Sequence, residues 1–269
     1  MSTMSKALAN LRAIARVCGT PTALAYLCGV VATLPEIVRS KNLVPADRRM
    51  TGRRWPFSVQ GVTFDLDGRF FGGAREMYCR QVYFPTPAFA LKPGTTVMDL
   101  GANVGLFSIL AALAGCKVIA VEAQTGFVRE LTELASSYGF STNIIAENAM
   151  VGSGTGIFSD SSALATASHF EGSAPPLVSM TELLAKHRVD QLDFLKVDIE
   201  GSEFDLFQSG DQWLRQVRRI AMEVHTHFGS VSGLRRVIES QGMSVELRDD
   251  DLRIVQHVPS AGGYLFATR

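Results

Sequence analysis

From Thr95 onward, short β-rich runs alternate with helical stretches, and this regularity constrains the fold of the 269-residue chain more than any other feature. The runs fall at 96–99, 117–122, 143–148, 194–198, 219–225, 244–247 and 264–268, and the helical stretches at 104–114, 127–138, 180–187, 203–214 and 233–241. Two helix starts carry a serine followed three residues later by an acid, Ser179 with Glu182 and Ser202 with Asp205, the pattern of a capping box. Strands that alternate with helices imply an α/β fold with a mainly parallel, doubly wound sheet. Ligands of such sheets bind beyond the carboxyl ends of the strands.

The sharpest local signal is Val97-Met98-Asp99-Leu100-Gly101-Ala102-Asn103-Val104-Gly105, a strand running into glycines and then a helix. Gly101 allows a tight turn at the strand end, and Gly105 allows close helix packing beside a ligand. The spacing lacks the middle glycine of a dinucleotide loop and the Gly-Lys-Ser/Thr of a P-loop. An anion, Asp99, stands where a pyrophosphate site would want donors, which suits a ligand bearing an amine or a positive centre. The next strand ends in Glu122, placed to accept hydrogen bonds from two ribose hydroxyls, and the third ends in Asn148, whose amide could pair with an adenine edge. Each has an ordinary alternative: Asp99 capping a turn, Glu122 solvated, Asn148 closing a loop.

These residues, followed by Asp193-Phe-Leu-Lys196-Val-Asp198-Ile-Glu200-Gly201-Ser-Glu203 and Glu223-Val-His225, resemble the FkbM family of S-adenosylmethionine-dependent methyltransferases over roughly 91–269. The resemblance implies the class I methyltransferase, Rossmann-like fold, a seven-stranded sheet with its last strand antiparallel. It implies S-adenosylmethionine as cofactor, held by Asp99, Gly101, Asn103, Gly105, Glu122 and Asn148, and methylation of a hydroxyl. Ala123 stands where the family usually has a proline after the acid.

Transfer of a methyl group to an alcohol requires alignment of the acceptor and a destination for its proton. Lys196, Asp198 and Glu200 share one parity on the fourth strand, as do Glu223, His225 and His227 on the fifth, so neighbouring strands would gather them on one rim. Asp198, Glu200 and His225 are the candidate catalytic residues, with Lys196 neutralising nearby acids and His225 the candidate base. Glu203 and Asp205 read as anions in the first turn of a helix. The same cluster offers a divalent metal a place, although none is expected.

Residues 1–90 read as a separate cap on the acceptor side, made of helices at about 8–18 and 21–34, an aperiodic connector at 39–56, a hairpin turning at Asp67-Gly68, and a helix over 74–84; residues 91–269 form the cofactor-binding domain. The formal net charge is 26 − 26 = 0, yet residues 1–56 hold nine cations against two anions. A basic arm of this kind suits an anionic lipid surface, a nucleic acid or an acidic substrate, or simply a solvated face. The longest apolar run, 22–34, falls short of the ~20 residues that cross a bilayer, leaving a peripheral membrane contact open. Four scattered cysteines make no metal or disulfide pattern, and the chain reads as cytoplasmic.

The expected partner is a small-molecule or glycan acceptor, a sugar, glycolipid or secondary metabolite, with no nucleic acid; oligomeric state is not specified. Two other readings compete: a nicotinamide-dependent oxidoreductase on a related nucleotide fold, disfavoured by the missing glycine and by Asp99, and a non-catalytic binding module, disfavoured by the strand-end acids.

Overall fold

The computed structural model describes residues 3–152, 175–207 and 212–269. The chain divides into two compact units, Met1–Val82 and Tyr83–Arg269.

The first unit opens with helices α1 (Thr3–Cys18), α2 (Thr20–Ala32), α3 (Leu34–Ser40) and α4 (Val44–Arg48), then strands β1 (Arg54–Val59) and β2 (Val62–Asp67), and a short helix α5 (Phe71–Ala74) that runs into a π-helical turn, Arg75–Cys79. The expected helix over 21–34 stops at Ala32, because Pro35 has no N–H to continue the ladder and starts the next helix instead. The expected connector holds α4, with proline in its first turn, and the beginning of β1. The hairpin is present but turns at Gln60-Gly61, not at Asp67-Gly68. Both turn residues take positive φ, 52° and 77°, as a type I′ turn requires. Asp67 accepts a hydrogen bond from the Arg69 N–H and caps a 3-10 turn, while a Cβ at Gly68 would run into the Met50 carbonyl. The helix expected over 74–84 ends at Cys79.

Rings of Tyr26, Phe57, Phe71 and Tyr78 form the core of this unit. Arg75 and Asp47, both buried, pair at 2.8 and 3.0 Å, and the Tyr26 hydroxyl donates to the same carboxylate at 3.1 Å. A buried charge so satisfied avoids the several kcal/mol that an unpaired one costs.

The second unit begins before the expected boundary because its leading segment packs as part of it. Phe84 stacks on Phe107 at 5.8 Å, and Phe89 meets Phe194 and Phe266 edge-on at 6.0 and 5.2 Å. Its elements are β3 (Thr96–Leu100), α6 (Leu106–Leu113), β4 (Lys117–Glu122), α7 (Thr125–Ser137), β5 (Ile144–Asn148), α8 (Met180–Lys186), β6 (Phe194–Val197), α9 (Glu203–Leu206), β7 (Arg219–Val224), α10 (Val231–Ser240), β8 (Ser244–Asp249) and β9 (Gly263–Thr268). The strands form one seven-stranded sheet in the order β5-β4-β3-β6-β7-β9-β8. All neighbours are parallel except β9, which runs antiparallel between β7 and β8. The doubly wound α/β sheet read from the sequence is therefore the observed one. Its central strands β3 and β6 are buried almost throughout, as a parallel sheet covered on both faces demands.

The capping box at Ser179 and Glu182 forms in full. The one expected at Ser202 does not: that serine makes no capping hydrogen bond, and α9 is a single turn. Of the helix expected over 203–214, residues 208–211 lie outside the described residues, and Gln212–Gln216 is a 3-10 turn.

Candidate active site

The loop from β3 to α6 is shaped by close backbone approach. Gly101 takes φ 73°, and a Cβ there would overlap the Asp198 carbonyl oxygen at the end of β6. Gly105 takes φ 85°, and its Cβ would lie 2.7 Å from Leu131 of α7. Asn103, between them, is held at φ 51°, and its side chain accepts from the Val104 N–H at 2.7 Å. Left-handed backbone at a non-glycine residue costs of order 1–3 kcal/mol and persists where surrounding contacts enforce it.

One such contact comes from Glu122, at the tip of β4. Its two carboxylate oxygens accept from the N–H groups of Asn103 and Gln124 at 2.8 and 2.7 Å. Burial raises the carboxyl above its usual range, against the pull of those two donors and of Lys196. Each oxygen keeps a lone pair that no described residue uses, on the wall of a cleft.

Asp99 lies beneath that cleft and not in its wall. It is the register partner of Lys196 across β3 and β6, fully buried, with the lysine Nζ 3.1 Å from one oxygen and the Ser108 hydroxyl donating to the other at 2.7 Å. Burial opposes the charge on Lys196, but Asp99 and Asp198 outweigh it and raise its pKa. The ammonium also donates to the carbonyls of Gly101 and Leu100 at 2.7 and 3.3 Å. Asp99 therefore acts on the glycine loop through Lys196, and the direct grip on a ligand's amine expected of it is not what the geometry provides.

Asn148 likewise departs from expectation. Both of its amide hydrogens go to the carbonyls of Glu122 and Ala123, each at 3.0 Å, while its oxygen accepts from Thr125. An amide committed in this way ties β5 to the turn after β4, and it has no donor left for an adenine edge.

At the ends of β6 and β7 the parity argument is realised in part. His225 Nε2 lies 3.3 Å from Glu200 and 4.0 Å from Asp198, and its Nδ1 lies 3.1 Å from Glu203. His227 is exposed, and the contacts described for the cluster do not include it. Glu203, fully buried, also accepts from the backbone N–H groups of Gly201 and His225 at 2.8 Å each. It thus anchors the loop and turns the imidazole so that Nε2 faces the acids. Burial disfavours the imidazolium, but Glu203, Asp198 and Glu200 overcome this and push the His225 pKa up to about 9. Glu223 is pushed up to about 8, by burial first and by Asp198 next. Glu200 is raised by burial and sits at φ 52°, a strained position that presents its carboxylate.

Tyr83 completes the group, its buried hydroxyl donating to Asp198 at 3.0 Å while its ring lies 5.5 Å from the Lys196 ammonium. The ligand atoms of Asp198, Glu200 and His225 fall within 4.8 Å of one another, close enough for one divalent cation. The same carboxylates raise the His225 pKa, so that the imidazole, when protonated, supplies the positive charge they face.

A cleft partly open to solvent runs between the glycine loop and the acids, lined among others by Gly101, Asn103, Glu122, Phe127, Asp198 and Glu200. Of the nine residues singled out from sequence, Gly101, Asn103, Glu122, Asp198 and Glu200 line it, Gly105 shapes its loop, His225 touches its acids, and Asp99 and Asn148 support it from outside. Sequence reasoning missed Tyr83, which carries no motif, and took Glu203 for a dipole partner, although its place two residues after Gly201, in the turn that follows β6, was the available signal.

The family described as Methyltransferase FkbM domain matches residues 99–245, more than half of the chain. A curated relative named "Probable protein arginine N-methyltransferase 3", from Oryza sativa subsp. japonica, is 31% identical over 128 residues, covering 42% of this chain and 20% of its own length. The chain thus spans about a fifth of that relative. Similar solved structures include the "METTL16 MTase domain (crystal form 2)", at TM-score 0.44 and 10% identity over 70% of this chain and 65% of that one. A SAM-dependent methyltransferase from Agrobacterium tumefaciens has TM-score 0.40 and 14% identity over 80% and 70% of the two chains. With the glycine loop and the strand-end acids falling inside the matched span, the chain belongs to the FkbM family of methyltransferases.

Proposed function

We propose that the chain methylates a hydroxyl group of a sugar, glycolipid or secondary metabolite, with S-adenosylmethionine as donor and His225 as the group that takes the hydroxyl proton. The residues fit the donor that the family implies. Glu122 lines the cleft with each carboxylate oxygen accepting one backbone N–H and so keeping a lone pair for a ribose diol, and Gly101 and Asn103 line the cleft beside it. When bound, that donor supplies an electrophilic methyl group on a positively charged sulfur.

The observation that carries the reading is the orientation of His225. Because buried Glu203 holds Nδ1, Nε2 points toward Asp198 and Glu200 at the cleft edge. Asp198 orients the hydroxyl as hydrogen-bond acceptor, steadied by Tyr83, and Nε2 receives the proton once His225 has lost its own. His225, the expected base, gives up its own proton only at higher pH than an ordinary imidazole, since three carboxylates push its pKa up to about 9.

The test is a screen with isotope-labelled donor against hydroxylated glycans and natural products, read by mass, with an arginine-rich peptide included because a curated relative is named for arginine N-methylation. Label on an oxygen is the expected result, and label confined to nitrogen would overturn the assignment. Calorimetry with S-adenosylhomocysteine and with NAD tests the donor, and binding of NAD alone would return the chain to the oxidoreductase reading.

A further inference from the structure

Helix α2 presents an outer face with no charged side chain. Its inner stripe is fixed on the first unit: Thr22, Tyr26 and Val30 are buried, Tyr26 stacks on Phe71 at 5.6 Å, and its hydroxyl is held by Asp47. Its outer stripe, from Pro21 through Leu24, Leu27, Cys28 and Val31 to Ala32, is exposed and wholly apolar. A helix that is apolar all round belongs in a large core or against a nonpolar phase, and α2 has a core on one side only.

The stripe continues past the break. Leu34 and Val38 of α3 are 40% and 65% exposed, beside Val31 at 66% and Leu24 at 57%. Of the eleven large apolar side chains exposed among the described residues, seven belong to α1–α4. Among the described residues no single helix is long and apolar enough to cross a membrane. The α2–α3 pair reaches that length only across a 73° bend, and the pinned inner stripe ties α2 to its unit. What remains is a bent apolar ridge lying along a surface.

Charge identifies the surface. Residues 1–82 contain twelve cations and five anions, net 12 − 5 = +7, and the remaining residues 14 − 21 = −7. Against one exposed anion on α3, Glu36, the cations Arg39 and Lys41 follow the ridge directly and Arg48 and Arg49 follow at the end of α4, all four exposed. A second copy of the chain docked ridge to ridge would bring +7 against +7. An anionic bilayer would take the apolar side chains among its acyl chains and the cations at its headgroups.

We propose that the α2–α3 ridge is a peripheral anchor on anionic membrane surfaces, holding the first unit in the plane of the interface without spanning it. The anchor stands on the first unit alone and does not depend on the identity of the methyl acceptor.

The experiment uses the full chain with vesicles of phosphatidylcholine alone or rich in phosphatidylglycerol. Cys28, the exposed thiol on the ridge, carries an environment-sensitive fluorophore, the other three cysteines being buried. The expected result is at least about tenfold tighter binding to the anionic vesicles, a blue shift of the Cys28 probe, and weakening by salt. The triple substitution Leu27→Ser, Val31→Ser, Val38→Ser lowers that binding about tenfold. These side chains are exposed, so its thermal unfolding stays at that of the unsubstituted protein. Equal binding to both vesicles, or triple-variant binding equal to wild type, overturns the anchor. A vesicle-free dimer that the triple variant dissolves also overturns it, by showing that a second copy covers the ridge.

Discussion

Replacing Lys196 with methionine removes the cation on which the glycine loop rests while nearly keeping its volume. Asp99 is then left fully buried, with only the Ser108 hydroxyl at 2.7 Å to compensate its charge. Breaking a buried ion pair from one side costs about 3–5 kcal/mol, because the surviving charge has neither solvent nor partner. The catalytic unit has 269 − 82 = 187 residues, so this loss lowers its melting temperature by roughly 6–20 °C. Asp99→Asn is milder, since Lys196 keeps the carbonyls of Leu100 and Gly101 and has Asp198 at 3.8 Å. The double variant, with neither charge, is more stable than Lys196→Met alone. Urea and thermal denaturation of the three variants check this as a cycle. A loss under about 1 kcal/mol for Lys196→Met, or simple additivity, would refute the view that the pair is a coupled support beneath the cofactor loop.

Glu122→Gln leaves one oxygen for the two backbone N–H groups of Asn103 and Gln124; titration calorimetry with S-adenosylhomocysteine is expected to show affinity reduced at least about tenfold, and unaltered affinity removes Glu122 from the site. If Nε2 of His225 is the proton acceptor, kcat/KM rises with pH through neutrality and levels off near the pKa of about 9 that its three carboxylates impose; a flat profile across that range would show that a carboxylate accepts the proton. Glu203→Gln removes one of the negative charges stabilising the imidazolium, so the same profile moves to lower pH, and an unmoved midpoint contradicts the pairing. Because the His225 imidazole itself reaches both Asp198 and Glu200, turnover is expected to persist in excess chelator, and its abolition would assign the cluster to a metal.

What the sequence made legible was whatever repeats locally. Strand and helix alternation showed the sheet, and β4 runs from Lys117 to Glu122 as its side-chain pattern indicates. Parity brought Asp198, Glu200 and His225 together once β6 and β7 proved to be neighbours. The misreadings share one cause: a local pattern names the residue but not what lies across from it. Asp67-Gly68 is as good a turn signal as Gln60-Gly61, and it is the Met50 carbonyl, close against Gly68, that assigns the two sites. Asp99 looks like a ligand-facing anion until the register sets Lys196 opposite it, 97 residues later in the chain (196 − 99), and Asn148 looks like a base reader until two carbonyls of the preceding turn claim its amide. Both residues still serve the cleft, at one remove. Substituting them should therefore weaken cofactor binding through loop position and stability together, and the same holds for Glu122, which lines the cleft and also holds the N–H groups of Asn103 and Gln124.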